Sequence, residues 1–122
     1  MKIVLVEDGV DHARILNAIL KKEGYDVVWF ATGIDAYKYL SENAMPDLLI
    51  TDVMMPGMSG FELLERLKDD NKIPPCFVLT SKQREEDILR GLQFGVLDYI
   101  TKPFSPSVLI AKVRNLNVRK AG

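Results

Sequence analysis

Four stretches of this sequence end an apolar run at a residue that can do chemistry. Leu48 to Ile50 leads through Thr51 into Asp52, and a stretch broken by Pro56, Gly57 and Gly60 follows. Lys2 to Val6 runs into Glu7-Asp8, Cys76 to Leu79 into Thr80, and Tyr99-Ile100-Thr101 into Lys102-Pro103. A short apolar run closed by a polar residue and a breaker is how a buried strand delivers a side chain to the rim of a sheet. If the strands are parallel, their C-terminal ends share one edge, where three carboxylates, a hydroxyl and an ammonium converge. That set suits Mg²⁺ together with a phosphoryl group. Mg²⁺ takes about six oxygens in octahedral array and keeps some as water. Asp8 and Asp52 supply two, Glu7 binds directly or through a water, and a backbone carbonyl near Met54 supplies another.

Crowded carboxylates hold protons unless a cation relieves their repulsion. Carboxylates also serve as nucleophiles that form aspartyl-phosphates. Asp52 ends what should be a central strand and is the residue expected to do so, with Glu7-Asp8 as the metal pair. Phosphoryl transfer needs in-line positioning and charge neutralisation more than proton chemistry. Lys102 meets the charge need, and the Thr80 hydroxyl donates a hydrogen bond to a phosphoryl oxygen.

The elements that must hold these residues alternate along the chain. Strands are expected over Lys2–Val6, Tyr25–Phe30, Asp47–Thr51, Cys76–Leu79 and Leu97–Thr101, from their β-branched and aromatic content. Helices are expected over Val10–Glu23, Ile34–Glu42, Ser59–Lys68, Glu85–Phe94 and Pro106–Val118, from apolar residues at helical spacing: the rows Ile15/Ile19 and Leu16/Leu20 in the first, Phe61, Leu64 and Leu67 in the third, and Leu109, Val113 and Leu116 in the last. Ser105 reads as an N-cap with Pro106 at the first helical position. Alternation of this kind calls for an α/β fold, a (βα)₅ unit with one five-stranded parallel sheet covered by helices on both faces. Such sheets bind ligands beyond the carboxyl ends of their strands.

The 122 residues fit a single domain spanning 1–122, and a chain of this length buries enough surface for a core. A net charge of −1 gives no field that would draw it to nucleic acid or to an anionic membrane. The single cysteine, Cys76, sits in an apolar run and reads as a buried structural thiol. It forms no internal disulfide, which fits a reducing compartment and an expected cytoplasmic location. Glu7 and Asp8 interrupt the first apolar run, so it reads as no signal peptide, and no run is long enough to span a membrane. His12 reads as a solvated surface residue.

Taken together and in this order, Glu7-Asp8, the segment Asp52–Gly60 (DVMMPGMSG), Leu79-Thr80-Ser81 and Tyr99–Phe104 (YITKPF) are highly specific. On these residues the chain resembles the receiver domains of two-component response regulators over nearly its whole length. The resemblance implies the flavodoxin-like strand order 2-1-3-4-5. It implies Asp52 as acceptor of a phosphoryl group from a histidine kinase or phosphotransfer protein. It implies Mg²⁺, or in its place Mn²⁺, on Asp8, Asp52 and the Met54 carbonyl, to which the reading of the residues adds Glu7. It also implies Thr80 and Lys102 on the phosphoryl oxygens, Thr80 with Tyr99 as a switch pair, and a cis Lys102-Pro103 bond. Such a domain is not an enzyme; it switches its fourth helix, fifth strand and fifth helix to control an output domain or partner. The chain reads either as a complete regulator or as a receiver whose output domain lies outside it.

Two departures from the family pattern bear on lifetime: Met54 offers no hydrogen bond to an attacking water, and Lys82 is expected to cover the phosphate. Two rival readings are weaker. An aspartate-nucleophile phosphohydrolase of the haloacid dehalogenase type wants a second acid where Met54 stands. A degenerate receiver acting only as a binding module would not need Glu7, Asp8, Asp52, Thr80 and Lys102 intact. On the output face, Ile88, Leu92 and Val108 either face the core or form a patch for homodimerisation or effector docking. In the second case Lys112, Arg114 and Arg119 pair across the contact with Asp87 or Asp98.

Overall fold

The computed structural model describes residues 1–81 and 85–121, with side chains as far as Asn117. Lys82 and the Arg119 side chain lie outside the described residues. The elements run β1 (Lys2–Val6), α1 (Val10–Lys22), β2 (Asp26–Phe30), α2 (Gly33–Glu42), β3 (Leu48–Asp52), α3 (Gly60–Asp69), β4 (Cys76–Thr80), α4 (Glu85–Leu92), β5 (Asp98–Thr101) and α5 (Pro106–Ala121). All strand pairs are parallel and the sheet order is β2-β1-β3-β4-β5. The expected flavodoxin-like (βα)₅ architecture is the observed one.

Both faces of the sheet are buried, as a parallel sheet wrapped by helices requires. Alternation along each strand splits its side chains between two cores. Ile3, Leu5, Leu48, Ile50, Phe77 and Leu79 pack with Leu16 and Leu20 of α1 and with Leu109 and Val113 of α5. Val4, Val6, Leu49, Cys76 and Val78 pack with Ala36 and Leu40 of α2 and with Phe61, Leu64 and Leu67 of α3. In α1 the buried stripe is Ala13, Leu16 and Leu20, and Ile15 of the other apolar row stands exposed. The expected helical stripe Phe61, Leu64, Leu67 is fully used.

Element ends shift by a residue or a few for local reasons. Ser59 is the N-cap of α3, not its first residue, and its hydroxyl accepts from the Glu62 backbone N–H at 3.2 Å. Thr32 caps α2 in the same way. Asp47 stops short of β3 because its side chain accepts the Lys2 backbone N–H, at 2.7 Å. Leu97 precedes β5 but still donates to the Cys76 carbonyl at 2.8 Å.

The rim of the sheet depends on one close approach. Gly60 opens α3 against the end of β3, its N–H donating to the Val53 carbonyl at 2.9 Å. A Cβ at position 60 would overlap the Asp52 carbonyl oxygen and stand 3.0 Å from its carbonyl carbon. Only glycine lets the helix begin this close to the residue that carries the central carboxylate. Gly60→Ala should therefore destabilise the fold by about 1–3 kcal/mol through overpacking and shift the Asp52 resonances. Chemical denaturation with backbone chemical shifts checks this; a neutral substitution with Asp52 unmoved would contradict it.

Candidate functional site

The four strand ends deliver their residues as expected. Glu7 and Asp8 follow β1, Asp52 closes β3, Thr80 closes β4 and Lys102 follows β5. Carboxylate oxygens of Glu7, Asp8 and Asp52 lie within 4.8 Å of one another. Glu7 and Asp52 are almost wholly buried at 1% and 6% exposure, whereas Asp8 opens to solvent. Thr80 is also buried, at 5% exposure.

Lys102 ties this edge together. Its Nζ donates to Asp52 Oδ2 at 2.6 Å and to the two Glu7 oxygens at 2.9 and 3.0 Å. The backbone N–H of Lys102 donates to the Thr80 carbonyl at 2.8 Å, which extends the β4–β5 ladder to the lysine. The Lys102-Pro103 peptide bond is cis, as the family resemblance implied.

Glu7 is held from several sides. Its N–H donates to the Phe30 carbonyl at 3.1 Å, and its own carbonyl accepts from the Trp29 indole Nε1 at 2.9 Å. These bonds pin the end of β1 beside β2 and keep the carboxylate at the rim. Burial, then the neighbouring Asp52 carboxylate, push the Glu7 carboxyl up to about 7, and Lys102 opposes them. Burial works against the Lys102 charge, yet hydrogen bonds to Asp52 and Glu7 outweigh it and raise its pKa.

A site in which one carboxyl sits near neutrality despite a lysine between it and its neighbour still carries unmet negative charge. That donor set, all hard oxygens with one member open to solvent, fits a small divalent cation such as Mg²⁺. Glu7, Asp8 and Asp52 are the side chains that would hold it. The Met54 side chain stands 76% exposed.

His12 corrects the sequence reading. Its side chain is 53% exposed, as expected of a surface residue, yet Nδ1 lies 3.3 Å from Glu7 Oε1. Trp29, with its bond to the Glu7 carbonyl, was also outside the expected set. Neither had a local signal: one turn of helix and one parallel strand pairing bring them to the site.

On the face of α4, β5 and α5, Leu92 and Val108 are exposed, at 65% and 49%, while Ile88 is half-buried. Leu89 and Leu97 add to the exposed apolar surface. The expected cross-contact ion pairs are instead made within the chain. Lys112 pairs with Asp98 at 2.8 Å, and Arg114 pairs with Glu23 at 2.7 Å. Tyr99 is half-buried, with its hydroxyl 2.9 Å from the Asp87 carbonyl and 3.2 Å from that of Ile88.

Comparison with known proteins agrees with this geometry. A model of the response regulator receiver domain family matches residues 3–114. The chain is similar to the receiver domain of the Francisella response regulator 1452, at 30% identity over 98% of both chains with a TM-score of 0.88. It is similar to the signal receiver domain of a signal transduction histidine kinase from Syntrophus aciditrophicus, at 38% identity over 94% of this chain and 88% of that one, with a TM-score of 0.81. It also resembles the Vibrio cholerae chemotaxis protein CheY4, at 29% identity over 94% and 97% of the two chains, with a TM-score of 0.84. Among the described residues no helix is long and apolar enough to cross a membrane.

The Glu7 environment makes a pH prediction. The folded value of about 7 lies above the ordinary 4.5, so the folded protein binds more protons than the unfolded chain between these values. The stability contributed by protonated Glu7 is complete below about 4.5 and is lost as pH rises through about 7. In metal-free protein the Glu7 carboxyl carbon should titrate near pH 7, and Mg²⁺, which needs the ionised form, should pull the midpoint down. A metal-free midpoint in the usual carboxylate range would contradict this account.

Proposed function

This chain belongs to the response regulator receiver domain family, and we propose that it takes a phosphoryl group from a histidine kinase or phosphotransfer protein onto Asp52. The observation that carries this reading is Lys102 Nζ lying 2.6 Å from Asp52 and within 3.0 Å of both Glu7 oxygens. A phosphoacceptor carboxylate needs a positive charge beside the incoming oxygens, and Lys102 supplies one from a half-buried side chain whose backbone is fixed by the β4–β5 ladder.

In this reading an Asp52 carboxylate oxygen attacks phosphorus in line with the bond to the donor imidazole. That bond breaks as the new O–P bond forms, and the imidazole leaves. Lys102 pairs with the phosphoryl oxygens and the Thr80 hydroxyl donates to one of them. Glu7, Asp8, Asp52 and the Met54 carbonyl would hold Mg²⁺, which would supply charge neutralisation on the phosphoryl oxygens. Mn²⁺ suits the same oxygen donors. His12 and Lys102 flank Glu7, and together they hold its carboxylate toward the edge where the phosphoryl group arrives.

Receiver domains are in general phosphoacceptors without catalytic turnover of their own, and this chain is read the same way. Phosphorylation adds acceptor oxygens and charge that Thr80 follows, and Tyr99 shifts with it. The face of α4, β5 and α5 is thereby biased between two arrangements. Leu89, Leu92, Leu97 and Val108 give this face the apolar surface that homodimerisation or docking to an output domain or partner would bury. Met54, with no hydrogen-bonding group at its tip, leaves an attacking water unoriented and favours a long-lived phosphoryl group.

Incubation with acetyl phosphate and Mg²⁺ should add one acid-stable, base-labile phosphate, seen as a single mass increment. Asp52→Asn should lose the increment and keep the fold, and chelation of Mg²⁺ should suppress it in the unaltered protein. A phosphate on another residue of the unaltered protein, or labelling that persists in Asp52→Asn, would overturn the assignment.

A further inference from the structure

Gly91 stands in the last turn of α4, the seventh of its eight residues. Glycine near a helix end carries only a small propensity cost relative to alanine, so propensity neither explains nor forbids it here. The residue is buried, and its backbone is helical, so no left-handed turn requires it.

What requires it is Tyr99. A Cβ at position 91 would overlap the Tyr99 hydroxyl outright, and would stand 2.8 Å from the phenol Cζ and 3.3 Å from Val96 Cγ2. The hydroxyl occupies the room a side chain would take, and from there it bonds the carbonyls of Asp87 and Ile88. Those carbonyls belong to the first half of α4. The phenol therefore fastens β5 to α4 at the point where the helix has no side chain of its own.

The other end of α4 is held independently. Lys68 of α3 donates to the Gln93 carbonyl at 3.1 Å, Arg90 lies 5.0 Å over the Phe61 ring, and Phe94 stacks on Phe61 at 6.3 Å. Val96 N–H donates back to the Gly91 carbonyl at 3.2 Å. Displacing α4 as a body would break all of these. Displacing Tyr99 needs rotation about two side-chain torsions. Of the two groups that would collide, the phenol is the one free to leave.

We propose that Gly91 is the seat of Tyr99 and sets the resting arrangement of the α4–β5 face: without a Cβ at position 91 the phenol docks against α4 and holds it, and any larger residue unseats it. The seat makes one of two Tyr99 positions available with no phosphoryl group bound. This goes beyond the phosphoacceptor reading, and it is tested on the unphosphorylated protein, so it stands or falls separately from the chemistry at Asp52.

The test is a double-variant comparison with Gly91→Ala and Tyr99→Leu, whose side chain ends short of the phenol. Tyr99→Phe is unsuitable because the ring Cζ would still meet the new Cβ. Ring-to-helix nuclear Overhauser contacts from Tyr99 to residues 87–91 should be present in the unaltered protein and lost in Gly91→Ala. In urea titrations Gly91→Ala should lower the folded-to-unfolded ratio when Tyr99 is present. In the Tyr99→Leu background the same change should no longer lower that ratio, because the group that meets the new Cβ is gone. Should Gly91→Ala not fold alone, recovery of folding in the double variant supports the seat. Persistence of the Tyr99 contacts in Gly91→Ala, the same factor in both backgrounds, or a double variant that fails to fold would overturn it.

Discussion

Carboxylates this close together cannot all remain ionised without a counter-charge, and much of the C-terminal edge of the sheet is arranged around that fact. Two ionised carboxylates about 4 Å apart repel by roughly 4 kcal/mol at an effective dielectric of about 20. Glu7 and Asp52 are buried, so solvent relieves little of this. The chain answers with Lys102, whose ammonium touches both carboxylates, and with partial retention of the Glu7 proton. By comparison, the partly exposed surface pairs Lys112–Asp98 and Arg114–Glu23 contribute about 0–1 kcal/mol each and lie away from this edge. An incoming cation or phosphoryl group enters a place already prepared for charge exchange.

The fold holds that charge where it does because strand ends are the stiffest points available to it. Asp52 sits at the end of β3, between β1 and β4, with both faces of its strand buried in apolar cores. Gly60 lets α3 start against it, and the Val53 N–H donates to the Leu79 carbonyl at 3.0 Å, carrying the pairing one residue past the strand. Lys102 is carried on the same ladder through its bond to the Thr80 carbonyl. The residues that read the charge state thus hang from the same backbone network as the residues that create it. The output face is different in kind. α4 is short and exposes Leu89 and Leu92, and the phenol that fastens it to β5 can leave by turning its own side chain while α3 still holds the far end of the helix.

Much of this was legible from residue order alone. Apolar runs ending in Glu7-Asp8, Asp52, Thr80 and Lys102 located the rim, because a parallel sheet brings equivalent ends of its strands to one edge. The helical stripes Leu16/Leu20, Phe61/Leu64/Leu67 and Leu109/Val113 located both cores for the same reason of period. What escaped were contacts set by side-chain direction between elements. His12 reaches Glu7 because the first turn of α1 folds back over the end of β1. Trp29 reaches the Glu7 carbonyl through the register of β2 on β1. Lys112 meets Asp98 and Arg114 meets Glu23 only once α5 has packed, which is why the sequence suggested pairing with another molecule instead. The meaning of Gly91, a buried glycine in the last turn of α4, needed the position of Tyr99.

The central claim is that Lys102 is the resident counter-charge of the carboxylate cluster, which a metal ion must share. Mg²⁺ titration of Lys102→Met against the unaltered protein tests it most directly, followed by chemical shift at a pH where the Glu7 carboxyl carbon shows full ionisation in both. That pH lies higher in the variant, because Lys102 holds the Glu7 value down. Removing the ammonium while keeping the side-chain stem should tighten Mg²⁺ binding by about tenfold, equivalent to ~1.4 kcal/mol. Affinity that is unchanged or weaker in Lys102→Met would contradict the account.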